Sequence, residues 1–212
     1  MNKKIFAQLL GYSQNNLDKV TQPYILETFG VEVARCDTLE QYTDAINDAS
    51  LDRYFSKYWE NDIKKWKYSG LALVDEVNSL RPRAVLDVGC GYNEFKGKID
   101  NLIGIDPYND KADIQVSTLE YRTTQKFDVM LCLGSVNFGS RDKIISEVGR
   151  CVDLLEDGGT MFFRVNPGVQ HNKPEAKWIE FFAWNVPFII ELSEIFNLKV
   201  LDIRDDSNQR KY

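Results

Sequence analysis

The residues with the clearest chemical purpose lie between positions 85 and 106. Val85-Leu86-Asp87-Val88-Gly89-Cys90-Gly91 reads as a buried strand with an acid near its end, running into two glycines that let main chain approach a ligand closely. Leu102-Ile103-Gly104-Ile105-Asp106 reads as a second short strand ending on a carboxylate, placed to accept hydrogen bonds from both hydroxyls of a ribose. Two phosphate-binding patterns fail on the same stretch. A dinucleotide loop, G-x-G-x-x-G, would put Glu94 where its third glycine belongs, an anion facing pyrophosphate. A P-loop drawn from Gly91 to Gly97-Lys98 is one residue too long, and Ile99 cannot ligate magnesium.

Elements must position these groups. Downstream of Pro82, short apolar runs at 84–88, 102–105, 113–116, 127–133, 160–165 and 199–203 read as strands. A helix is expected over 141–155, with Ile144, Ile145, Val148, Cys151, Val152 and Leu155 on one face and Asp157-Gly158-Gly159 as its stop. A second helical stretch begins at Glu175, is interrupted by Pro187 and resumes through Phe196. Strands alternating with helices predict an α/β fold, a mostly parallel sheet with helices on both faces, and ligands bind such sheets beyond the carboxyl ends of the strands. Upstream, Trp59, Ile63, Trp66, Gly70, Leu73, Val77 and Leu80 recur at spacings of three and four, the stripe of a long helix. Shorter helices are expected around 4–10 and 39–47, with Pro23 and Gly30 breaking the region between. The division falls at Arg81 and Pro82: a helical N-terminal extension over 1–81 and an α/β domain over 82–212.

Composition narrows the functions available. A chain of 212 residues, 43% hydrophobic and 27% charged, suits one globular domain with an extension. Its net charge of -6 repels polyphosphate, and Lys64, Lys65 and Lys67 follow Glu60 and Asp62 as on a solvated helix face, so nucleic acid is disfavoured as a partner. No apolar run approaches the roughly 20 residues of a membrane span, and the short run after Lys3 and Lys4 lacks a signal-peptide cleavage pattern. Cys36, Cys90, Cys132 and Cys151 form no C-x-x-C pair, which points to a reducing cytoplasm. The single histidine, His171, argues against a metal site and, with no G-x-S-x-G present, against a hydrolase triad.

Residues 83–203 resemble the class I S-adenosylmethionine-dependent methyltransferase family, whose first motif after its first strand is D/E-x-G-x-G-x-G. Asp87, Gly89 and Gly91 match it, Asn93 replaces the third glycine, and Asp106, nineteen residues after Asp87, matches the second motif. Phe127-Asp128-Val129, the turn at 155–159 and the segment 192–201 resemble later features of the family. The resemblance implies a Rossmann-like fold, S-adenosylmethionine as cofactor, S-adenosylhomocysteine as product, and methyl transfer to a small or medium-sized acceptor. It assigns the cofactor to Asp87, Gly89, Cys90, Gly91, Asp106, Pro107 and Leu133, with the adenine amino group at Ser117 and Thr118 and the methionine end touched by Tyr58 from a lid before the sheet.

Departures mark a compact variant. Ten residues between Gly91 and Leu102 allow a first crossover helix of barely two turns, and 107–112 leave no room for a second, so an irregular loop must reach the third strand. A seventh strand is confined to 207–212 or missing. His171 is the candidate base, and Asn137, like Asn166, could orient an acceptor, although both asparagines also suit loop caps. Cys132-Leu133-Gly134-Ser135-Val136-Asn137 lacks the N/D-P-P-Y/F of enzymes that methylate amino groups of nucleic acid. A non-catalytic scaffold on this fold, or methylation of RNA or protein, stays open, as does the oligomeric state.

Overall fold

The structure is a computed structural model that describes residues 22–59, 69–168, 174–176 and 178–204. The described residues fall into two compact units, one within 1–58 and 171–180, the other within 59–170 and 181–212; Arg81 and Pro82 lie inside the second.

The first unit contains α1 (Gln22–Phe29) and α2 (Leu39–Arg53). Thr38 opens α2 by accepting from the Gln41 N–H at 3.1 Å, while Gln41 Oε1 accepts from the Asp37 N–H at 2.8 Å. This reciprocal pair is a capping box shifted by one residue, and the helix it starts runs past Asn47, six residues longer than expected. Ile25, Cys36 and Tyr42 form the small core, and the Trp178 ring meets those of Tyr24 and Phe29 at 6.4 Å each. Buried Asn47 accepts from the Glu180 N–H at 2.8 Å, tying the later segment to α2. The expected helix over 4–10 lies outside the described residues.

The second unit is built on four parallel strands, β1 (Val85–Val88), β2 (Leu102–Ile105), β3 (Phe127–Leu133) and β4 (Leu155–Arg164), in the order β2-β1-β3-β4. All carboxyl ends therefore share one edge, and the order reverses at β1, where a ligand crevice belongs. Strand alternation divides the apolar residues between two faces. Leu86, Val88, Met130 and Cys132 pack with α4 (Arg141–Leu154) and α5 (Val186–Ile195). Val85, Val129 and Leu131 pack with Leu73, Phe95, Ile99 and Val77, the last on α3 (Val74–Ser79). Helices cover both faces, as the apolar runs imply.

Several elements differ from expectation for identifiable reasons. The third strand is reduced to one bridge, Ile105 to Ile114, because the short connection after Asp106 turns back onto the β2 edge before a ladder can form. No helix forms between Gly91 and Leu102. Successive turns lead instead to left-handed Asn101, with Phe95 and Ile99 buried where a helix face would be. Asp157-Gly158-Gly159 does not precede the fifth expected strand but lies inside β4. Phe127 pairs with Leu155 and Val129 with Thr160, so two steps on β3 face five on β4, and left-handed Gly158 sits in the bulge.

Pro187 does not interrupt a helix; it sits in the first turn of α5, where its missing N–H costs nothing, and Asn185 caps that turn by accepting from the Phe188 N–H at 2.9 Å. Before it, among the described residues from 174 on, Pro174–Ala176 is helical and 181–183 is extended. α5 closes in a Schellman motif, the Leu198 N–H donating to Ser193 O at 2.8 Å with Asn197 left-handed, and 199–203 then joins no ladder; Leu201 is 70% exposed. Of the expected long helix, the described residues from 69 on form a tight turn over Ser69–Leu73 and then α3. Residues 60–68, with Lys64, Lys65 and Lys67, and the candidate strand at 207–212 lie outside the described residues.

Candidate functional site

The candidate site lies where β1 and β2 end, at the point where the strand order reverses. Gly89, Gly91 and Asn93 have φ of +66°, +54° and +57°, so the loop after β1 makes three left-handed steps at alternate residues. Asparagine is the side chain that takes this conformation most readily after glycine, and Asn93 does what the third glycine of the pattern would do. Its Nδ2 donates to Lys111 O at 3.1 Å, fastening the loop to the connection after β2. Gly104 on β2 leaves the space that Asn93 and Cys90 fill: a Cβ there would stand 2.7 Å from Asn93 Oδ1 and 2.8 Å from Cys90 Sγ. The loop is pressed just as closely from the other side, since a Cβ on Gly89 would stand 2.3 Å from the Ser135 Cβ beyond β3.

Asp106, nearly buried, holds the two loops together. Its Oδ2 accepts from the Gly91 N–H at 3.0 Å, and its Oδ1 accepts from the Tyr108 and Asn109 N–H groups at 2.8 and 2.9 Å. Oδ1 is thereby saturated, while Oδ2 keeps one lone pair. The carboxylate can take one ribose hydroxyl without disturbing the loops; taking both, as expected from sequence, would displace a main-chain donor. Asp87 is buried on β1, and desolvation, with the charge of Asp106 adding to it, pushes its carboxyl up to about 8. Burial likewise raises the Cys90 thiol, which keeps it neutral.

The other residues picked out from sequence divide by how their polar groups are used. Ser117 donates its hydroxyl to Glu120 Oε2 at 2.6 Å, leaving its oxygen as an acceptor, which suits an amino group; Thr118 beside it is half-buried. Pro107 accepts from Gln115 Nε2 at 3.3 Å. Leu133 packs its side chain into the core and offers its carbonyl to Arg164 Nη2 at 2.9 Å. Asn137 donates to Arg164 O at 3.2 Å and accepts from the Asn166 N–H at 2.9 Å, so this buried amide clamps the loops after β3 and β4. Asn166 Oδ1 closes a turn on the Gly168 N–H at 2.9 Å. Tyr58 belongs to the first unit, where its hydroxyl accepts from Arg53 Nη2 at 3.3 Å. His171 lies outside the described residues. Among the described residues no group of three or more His, Cys, Asp or Glu could hold a metal ion, and no helix is long and apolar enough to cross a membrane.

Two groups escaped sequence reasoning. Trp59 is legible as one member of an apolar stripe and of the aromatic group before the sheet, in which Tyr58 is the residue singled out, yet it is the Trp59 ring that stacks on Tyr92 with centroids 5.0 Å apart and reaches within 3.0 Å of a Cβ position on Gly91. The Tyr92 hydroxyl donates to Trp59 O at 3.3 Å. The other is Ser135, whose buried hydroxyl has no hydrogen-bond partner and lies 3.3 Å from the Cβ position of Gly89. A buried orphan hydroxyl costs about 1 to 3 kcal/mol, so a ligand that engages it recovers a real penalty. Ser135→Ala keeps the Cβ that packs on Gly89. The variant should be about 1 kcal/mol more stable in denaturant melts without ligand, while binding a crevice ligand about fivefold more weakly. Unchanged values of both would remove Ser135 from the site.

No protein-family model matches the sequence, and no curated protein matches it. Solved structures do share the architecture. The chain is similar to the 1,6-didemethyltoxoflavin-N1-methyltransferase of Burkholderia thailandensis, solved with 1,6-didemethyltoxoflavin and S-adenosylhomocysteine, at 16% identity and a TM-score of 0.59 over 74% of this chain and 80% of that one. It is similar to the CcbJ methyltransferase of Streptomyces caelestis at 14% identity and a TM-score of 0.55, covering 76% and 90% of the two chains. For the N-methyltransferase NodS of Bradyrhizobium japonicum, solved with S-adenosylhomocysteine, the identity is 16%, the TM-score 0.53 and the coverage 76% and 93%. At these identities the likeness is one of fold: the parallel sheet and its helices have the Rossmann-like α/β architecture of S-adenosylmethionine-dependent methyltransferases.

Proposed function

We propose that the chain is an enzyme that binds S-adenosylmethionine in the crevice over β1 and β2 and methylates a small or medium-sized acceptor, leaving S-adenosylhomocysteine. The observation that carries this reading is the left-handed loop at Gly89, Gly91 and Asn93, closed onto Asp106 at the point where strand order reverses. The residues present suit the cofactor. Asp106 Oδ2 has one lone pair for a ribose hydroxyl, Ser117 has an acceptor oxygen for the adenine amino group, and Ser135 has an unused hydroxyl beside Gly89. Asp87 supplies a carboxyl beneath the loop that would ionise toward a cationic ligand. Trp59 and Tyr92 cover Gly91 with ring surface, which favours a sulfonium over water.

When bound, the cofactor supplies a methyl carbon that an acceptor lone pair displaces from sulfur. This chain's contribution is to hold the partners in line, and in-line positioning alone is a large part of the barrier. Asn137 serves that end indirectly, since its amide fixes the loops after β3 and β4 between which an acceptor must enter. The proton released by an amine or hydroxyl acceptor can pass to solvent or to His171. Four free cysteines, none in a disulfide, suit a cytoplasmic setting.

Calorimetric titration with S-adenosylmethionine and S-adenosylhomocysteine tests the reading. Saturable binding of both is the expected result, and heat-silent titrations to millimolar ligand, unaccompanied by any thermal shift, would end it. Incubating the protein and labelled cofactor with fractionated small-molecule extract would then identify the acceptor by mass spectrometry.

A further inference from the structure

Resting on the methyl-transfer reading, we propose that the cavity beyond β4 is the acceptor's anchoring pocket and takes an apolar ring or branched alkyl group. The cavity measures about 220 Å³ and is lined by Val165, Pro167, Trp184, Asn185, Val186 and Ile189. An apolar cavity of roughly 150 Å³ already admits benzene, so one ring with a substituent fits.

The walls are fixed from three directions. Val165 and Pro167 continue the chain directly from β4; Pro167 bridges antiparallel to Ala183, and the Trp184 N–H donates to Asn166 O at 2.9 Å. The Trp184 indole N–H already donates to Val136 O at 3.1 Å, so the ring offers a ligand its carbon surface. Val186 and Ile189 come from the first turn of α5, whose cap uses the Asn185 carbonyl on the Phe188 N–H. The hydrogen-bonding capacity left on these side chains is the Asn185 Nδ2 group at the helix start, so a sugar or a charged group would lose most of its hydration there without replacement.

Position assigns the occupant. Because all four strands are parallel in the order β2-β1-β3-β4 and Val165 and Pro167 follow the carboxyl end of β4, the cavity lies beyond the same edge as the glycine loop, two strand spacings or roughly 10 Å from β1. A cofactor gripped at Asp106 lies over β2 and β1, which leaves the β4 end for a second molecule. With its apolar group seated in the cavity, the acceptor must carry its nucleophilic nitrogen or oxygen within about 5 to 10 Å of that group. The acceptor class is therefore a compact apolar ring or branched chain with an amine or hydroxyl on it or one short arm away.

Indole is a suitable probe, titrated by calorimetry into the full chain saturated with S-adenosylhomocysteine. Wild type should bind it saturably with a Kd of about a millimolar. Ile189→Trp, which puts a ring of the protein's own into the cavity, should weaken that binding at least about fivefold. Val186→Asp, which puts a carboxylate on an exposed rim position suited to a helix start, should weaken it at least about fivefold. Both variants should keep the S-adenosylhomocysteine Kd within about twofold. If the nucleoside binds but indole does not, or both variants bind indole as wild type does, the pocket assignment is wrong while the methyltransferase reading stands. If the nucleoside fails to bind wild type, the reading itself falls, and this inference with it.

Discussion

Asp87→Asn should flatten the dependence of stability on pH. In the folded chain the Asp87 carboxyl is held up to about 8 by desolvation and then by the charge of Asp106, against an ordinary value of 3.8. A raised acid keeps its proton in the folded state while the unfolded chain has already released it. Between about pH 4 and pH 8 the folded state therefore binds more protons, and stability falls as pH rises through that window. Four units correspond to about 5 kcal/mol if expressed in full. Asparagine is nearly isosteric and does not titrate. The variant should match wild type near pH 4 and exceed it by several kcal/mol at pH 8, in urea melts at both values. The raised Cys90 thiol stays neutral across this range, and other titrating groups are common to both proteins and cancel in the difference. Parallel curves would show that Asp87 is ionised in the apo protein. On the proposed function, a cationic cofactor selects ionised Asp87, so its affinity in wild type should rise toward pH 8 with release of a proton, and the variant should lose that slope.

The fold was legible where burial alone decides structure. Strands β1, β2 and β3 are apolar runs at or within one residue of their expected bounds, and α4 shows its apolar face at helical spacing. Legibility failed where two local signals pointed opposite ways. Gly158-Gly159 reads as a stop, but here it is accommodated as a bulge because β3 continues to offer a ladder partner on both sides of it. Pro187 reads as a break, but two residues after a capping asparagine it is a start. Residues 199–203 have strand composition yet pair with no strand among the described residues. The site was legible in its main-chain geometry and not in its side-chain partners. Asn93 could be recognised because few residues besides glycine accept its φ. Nothing in the sequence tells that Trp59 lies on Gly91, or that the Ser135 hydroxyl is left without a partner, since both depend on where separate segments meet.

The same is true of Asp106, whose position at a strand end suggested a sugar ligand and whose bonds reveal a second duty. Asp106→Ala should remove three bonds from main-chain N–H groups to a carboxylate, at Gly91, Tyr108 and Asn109. Bonds to a charged acceptor are worth about 1.5 to 3 kcal/mol each, so the loss should be about 4 kcal/mol or more, read as a lower urea midpoint. Asp106→Asn separates the two duties. An amide has one acceptor oxygen, and whichever way it turns, its NH2 must face an N–H: Gly91 in one orientation, Tyr108 and Asn109 in the other. Turning the oxygen toward Tyr108 and Asn109 preserves two bonds of three, so this variant should fold with a loss of about 2 kcal/mol. The amide then points its donor at Gly91, where the ribose hydroxyl would have found a lone pair, and S-adenosylhomocysteine should bind at least about tenfold more weakly, a difference of about 1.4 kcal/mol. If the asparagine variant folds yet binds the nucleoside as wild type does, Asp106 is a loop fastener and the sugar is held elsewhere. If the alanine variant melts within about 1 kcal/mol of wild type, the main-chain bonds are not what closes the glycine loop.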